Sequence, residues 1–326
     1  MLTQIFDIIY NVDSQESLSD NFYLTLGIFG SCCKMCTLLI SRENYAILIN
    51  TLHKEPFVPV NTDEIKIRTR FDKLAKWNAI AYMTVFESCL GWMIATSIVP
   101  DFRSRQLTYR IWLPYNYSSS FVFAITYGYQ AVGMTIGTLV NIACDSLFSG
   151  LLIHTYCQFE ILRHRLKHIV KNQNDSAKQC AYLHNHIYKF ATMVNNEFKT
   201  MVLIQFLVSI TMFCFDLYLL TQIEVGSKFM EMMLFAMCTL MQILYYCWYG
   251  NEIKLKSLEV PNMVIESNWT SLDNDAKKIL LMIMKRATKP IEFSSAHLVS
   301  MNLETFKTIL KTSYSAMSVL QQDKIH

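Results

Sequence analysis

The chain has 326 residues, of which 52% are apolar and only 17% charged, with 9 Gly, 6 Pro and a net charge of +3. A soluble domain of this length carries about a quarter charged residues, so this composition and the positive mean hydropathy belong to a helical membrane protein. The small net charge and dispersed basic residues exclude a nucleic-acid footprint.

In chain order, residues 1–10 form an apolar run too short to span a bilayer, read as the remnant of a longer helix. Candidate spans follow at about 22–40, 77–99, 121–153, 201–220, 229–250 and 298–320, which with the remnant make seven. The segments 41–76, 158–200 and 251–296 each hold seven Lys or Arg, against three in 100–120, one near Lys228 and none before Phe22. By the positive-inside rule the three basic segments are cytosolic, which predicts the N-terminus inside and the C-terminus outside. Of the sequons at Asn116, Asn174 and Asn268, only Asn116 then lies outside, and it alone is expected to carry sugar.

The cytosolic segments carry structure of their own. Phe159, Leu162, Leu166 and Ile169 continue a helical pattern, and Asp273 to Ala287 reads as a short amphipathic helix, so 154–200 and 251–296 are expected to form an intracellular anchor bundle.

The last span carries Glu304, Lys307 and Lys311 and is barely half apolar, unlike a lipid-facing helix. Thr305, Thr308, Thr312 and Ser315 share one face at steps of three and four, with Val319 in line, while Leu303, Phe306, Leu310 and Met317 lie opposite. One side packs and the other tolerates water, so this helix is a candidate to line a conduit.

The sequence contains no phosphate-binding loop, nucleophile elbow or dinucleotide fingerprint, so no enzymatic chemistry and no cofactor is expected. The Cys33/Cys36 pair flanks Lys34 in an apolar stretch without a second pair, and His164, His168, His184 and His186 read as solvated, so no metal is assigned. Glu87, Asp145 and Asp216 fall in or at the edge of spans, where an ionisable group is costly; packing or gating partners are the expected use. Toward the outer halves of the helices, Tyr23, Phe29, Gly91, Trp92, Ala95, Tyr127, Gln130, Met134, Met233 and Met237 mix large adaptable apolar groups with a few polar ones, which suits a small apolar ligand.

The C-terminal third resembles the insect odorant receptors. Pro290, Leu303, Glu304, Phe306, Leu310, Lys311, Thr312, Ser313, Tyr314, Ser315 and Leu320 follow that family's end motif; Cys247, Gly250, Asn251, Glu252 and Ser257 are similar to the motif after the sixth helix, Asn268 and Trp269 to the Asn-Trp after it, and Asp145 to its fourth-helix acid. The resemblance implies an all-α, seven-helix subunit of inverted topology, placed in the plasma membrane of olfactory sensory neurons. It further implies a hetero-tetramer with the olfactory co-receptor, forming a ligand-gated, non-selective cation channel for a small volatile apolar molecule. On the end motif, Val319 matches the hydrophobic gate, with Gln322 and Asp323 just outside it. Family members have a longer start, so the first helix here is read as truncated. A gustatory-receptor-like channel is the near alternative, although its end motif differs. From other classes, a transporter would need broken helices and an internal repeat, and a G-protein-coupled receptor the opposite charge bias.

Overall fold

The computed structural model describes residues 15–105, 107, 113, 115, 119–169, 173–223, 226–295 and 299–322. The remnant at 1–10, Asn116 and Asp323 lie outside these, and of Tyr23, Val319 and Gln322 only the helical backbone is described.

Backbone groups in hydrocarbon must be satisfied within their own segment, so long apolar stretches become helices. Eight α-helices result among the described residues: α1 Gln15–Ile40, α2 Arg42–Thr51, α3 Thr62–Ser104, α4 Ser120–Lys167, α5 Gln173–Leu220, α6 Ser227–Ile265, α7 Asn274–Ala287 and α8 Leu303–Gln322. Of these, α3, α4, α5 and α6 are long and apolar enough to cross a membrane, and Thr25–Ile40 is a shorter apolar helix. The segment 41–76, read from sequence as a basic connector, instead holds α2 and the first turns of α3.

The helices α4, α5 and α6 form the centre, with α1 packed on α4 and α5, and α3 on α4. Phe148, Phe198, Phe206 and Tyr246 pack as tilted rings into one buried column there, all 1% exposed or less. Toward the ends carrying the basic segments, α4 stays helical and buries Phe159, Leu162 and Leu166.

Ion pairs clamp that basic end. Lys256 of α6 lies between Glu160 of α4 at 2.6 Å and Glu259 at 2.7 Å. Burial works against its ammonium, but the two carboxylates outweigh it and raise its pKa. Arg165 forks onto Glu64 through Nε and Nη2, both at 2.9 Å, while Val60 N–H donates to the same carboxylate at 2.8 Å. Burial opposes the Glu64 carboxylate, yet these donors hold its pKa below the usual range. Together they fasten the α2–α3 connection onto α4.

The last helix is set by its approach. Ser294–Ser295 (β1) and Val299–Ser300 (β2) pair antiparallel, and Ser295 Oγ donates to Lys199 O at 2.7 Å, tying the hairpin to α5. Thr305 N–H donates to Asn302 Oδ1 at 2.7 Å, so α8 begins at Leu303 rather than at the expected 298. Just before it, Met301 sits so close to Gly250 of α6 that any side chain there would strike the Met301 carbonyl. Gly250→Ala is therefore expected to overpack this contact by about 1–3 kcal/mol. Surface biotinylation should show several-fold less protein than for an alanine substitution at Gly91, whose added carbon meets nothing.

A buried ion pair beneath an apolar cavity

Lys34 of α1 and Asp145 of α4 are 2% and 0% exposed and pair at 2.5 Å. Three further donors reach the carboxylate: Tyr82 Oη of α3 at 2.9 Å, Gln242 Nε2 of α6 at 2.7 Å and Tyr246 Oη of α6 at 2.5 Å. Both oxygens of Asp145 are thus filled, which a buried carboxylate requires, and four helices are tied to one group. Asp145, read from sequence as a packing or gating partner at the edge of its span, is the hub of the bundle. Lys34 was missed, though one lone cation in α1 and one lone anion in the apolar stretch 121–153 were together the signal.

Directly beyond this hub lies a cavity of about 430 Å³, walled by α1, α3, α4, α5 and α6. This falls in the range of small-molecule sites. The helix directions sort its lining. At the side nearer Asp145 are Ser31, Asn141, Gln205, Ser209 and Gln242; farther away are Met93, Gln130, Met134, Met212 and Phe235. Gly27 and Gly30 of α1 face Met212 and Val208 of α5 at 3.4–3.5 Å from where a β-carbon would stand. Two of the lining residues on α4, Tyr129 and Ile136, are themselves exposed.

Of the sequence-based candidates, Gln130 and Met134 line this cavity. Gly91, Trp92 and Ala95 do not: they lie on the exposed side of α3, with Trp92 55% exposed, and Leu90 and Met93 face the cavity instead. One residue on a helix turns the side chain by 100°, and the rotation of α3 is set by Tyr82 reaching Asp145. Tyr127 is buried beside the cavity against Phe123 and Phe102, closing α3 onto α4. Phe29, Met233 and Met237 are exposed, and the side chain of Tyr23 lies outside the described residues. Leu90, Met93, Asn141, Gln205, Val208 and Met212 were missed, because their facing depends on helix rotation rather than on composition.

On α8, Thr308, Thr312 and Ser315 are exposed, while Ile309 and Ser313 are buried and Phe306 packs against the main core. The helix packs on α5 and α6, two of the five helices that wall the cavity. Asp216 of α5 is fully buried, and among the described residues neither of its oxygens has a hydrogen-bond partner.

A family model described as 7tm Odorant receptor matches residues 14–314. Odorant receptor 94a of Drosophila melanogaster is 22% identical over 291 residues, spanning 85% of this chain and 73% of that protein. Odorant receptor 10 of Aedes albopictus is 24% identical over 324 residues, spanning 95% of this chain and 85% of that one. Among solved structures, the insect olfactory receptor OR5 from Machilis hrabei superposes with a TM-score of 0.88 at 16% identity, over 98% of this chain and 85% of that chain. The same receptor in complex with eugenol gives 0.84 at 17% identity, with the same coverage.

Removing one member of the buried pair strands the other, at a cost of about 3–5 kcal/mol. Read by fluorescence-detected size exclusion after heating, Lys34→Met and Asp145→Leu are each expected to lower the detergent melting temperature sharply, whereas the double variant should recover only part of the loss, because Tyr82, Gln242 and Tyr246 still lack their acceptor. With its membrane-grade helices, the hub that joins three of them to α1 and a match over nearly its whole length, the chain belongs to the 7tm odorant receptor family, a receptor family rather than an enzyme family.

Proposed function

We propose that this chain is the odorant-binding subunit of a ligand-gated, non-selective cation channel, assembled as a hetero-tetramer with the olfactory co-receptor in the plasma membrane of olfactory sensory neurons. The observation that carries the reading is the cavity, whose walls are shared with the helices on which α8 packs. Its methionine-rich lining suits a small volatile apolar molecule, since adaptable side chains supply dispersion without demanding one shape. The eugenol complex of the Machilis hrabei receptor supports a ligand of this size class.

The coupling runs along α6. This helix lines the cavity at Phe235, Thr239 and Gln242, joins the hub at Tyr246 and seats Met301 at Gly250, immediately before α8. A ligand that binds better when α6 is shifted biases α8 by its difference in affinity for the two arrangements. In the tetramer, Thr308, Thr312 and Ser315 face the central conduit, Val319 forms the dewetting gate and Gln322 and Asp323 stand at the mouth. Leu281 and Met282 of α7 are 60% and 68% exposed among the exposed charges of Asp275, Lys278, Lys285 and Arg286, an apolar pair that a partner subunit would cover. The charge bias of the connecting segments supports an inside N-terminus and an outside C-terminus.

The test is whole-cell current in cells expressing this chain, the co-receptor or both, under a broad panel of volatiles. A cation current evoked only in the paired cells is expected, and Met134→Trp, which fills the cavity, should abolish it while surface labelling stays normal. No evoked current from the pair, while the co-receptor alone still conducts, would reject the reading. The topology has its own readout: glycosidase should shift the wild-type band but not that of Asn116→Gln, and sugar on Asn174 or Asn268 would reverse the orientation.

A further inference from the structure

The hydrogen-bond chain under the cavity has a direction, and it starts from the hub. Asp145 accepts from every partner it has, so Gln242 must present its amide Nε2 to it, at 2.7 Å. That orientation turns Gln242 Oε1 toward Gln205, which must in turn donate, at 2.8 Å. The second amide proton of Gln205 goes to Ser209 Oγ at 2.6 Å. Both protons of Gln205 are therefore spent, and among the described residues no donor reaches its Oε1. Gln205 is 5% exposed and lines the cavity, so the group it offers there is a carbonyl acceptor. Thr138 and Thr239 spend their hydroxyl protons on the carbonyls of Met134 and Phe235, and Ser31, which accepts from Asn141 Nδ2, spends its own on that of Gly27.

We infer that the cavity selects an apolar molecule carrying one hydroxyl group, an alcohol or a phenol, whose O–H donates to Gln205 Oε1 while its hydrocarbon part lies against Met93, Met134 and Met212. This deepens the odorant-binding reading and rests on it. The selected molecule completes a directed chain from ligand to Gln205 to Gln242 to Asp145, in which each bond polarises the next. A ketone or an ether of the same shape has no proton to give and leaves the buried acceptor unsatisfied, which is the more costly mismatch.

The experiment compares matched compounds on the paired channel: a primary alkanol, its methyl ether and the methyl ketone of equal length, with a phenol and its methyl ether as an aromatic series. The hydroxyl compound should be more potent by about tenfold in each series, the value of one buried hydrogen bond. Gln205→Met, similar in volume but without the acceptor, should bring the compounds within about twofold of one another while surface labelling persists. If that variant does not reach the surface, the wild-type series still decides. Ether or ketone equal to alcohol in wild-type channels overturns the inference, as does silence to both series while other volatiles open the channel. Silence to every volatile fails the odorant-binding reading itself.

Discussion

The arrangement depends on one buried carboxylate. Asp145 lies in an apolar bundle where an unpaired charge would cost several kcal/mol, and it is tolerated because an ammonium and three neutral donors surround it. Those donors come from α1, α3 and α6, so satisfying a single group fixes the rotation of three helices about α4. The apolar contacts of Phe148 and Tyr246 then fill the space around the pair. Without that constraint an apolar helix in lipid has little reason to prefer one rotation over another, because lipid tails and leucines are alike in polarity.

The two ends of the bundle are held differently. At the basic end, Lys256 with Glu160 and Glu259, and Arg165 with Glu64, join helices through charged hydrogen bonds, and large aromatic and aliphatic side chains are buried around them. On the far side of Asp145 the contacts are methionines, glycines and a cavity. The Gly250–Met301 contact lies on the basic side of the ion pair, at the foot of α8.

The buried pair also has a role beyond holding helices. Because a carboxylate only accepts, it imposes a direction on the amides of Gln242 and Gln205, and that direction extends into the cavity. A polar group chosen for packing thereby decides the hydrogen-bonding character of a surface two side chains away. The methionines around it carry no such direction and leave the shape of the hydrocarbon part loosely specified.

Much of this was legible in the chain. Apolar length marked the long helices, and the step of three and four at Thr305, Thr308, Thr312 and Ser315 marked a polar face that the structure leaves exposed at Thr308, Thr312 and Ser315. These are properties of single segments, and a helix with its period of 3.6 expresses them before it meets a neighbour. Three features were decided only by tertiary structure: the partnership of Lys34 with Asp145, the start of α8 at Leu303 behind a two-residue hairpin, and the facing of Leu90 and Met93 rather than Gly91 and Trp92. Each depends on how one helix is rotated and shifted against another. That choice belongs to groups distant in sequence that meet only when the bundle closes.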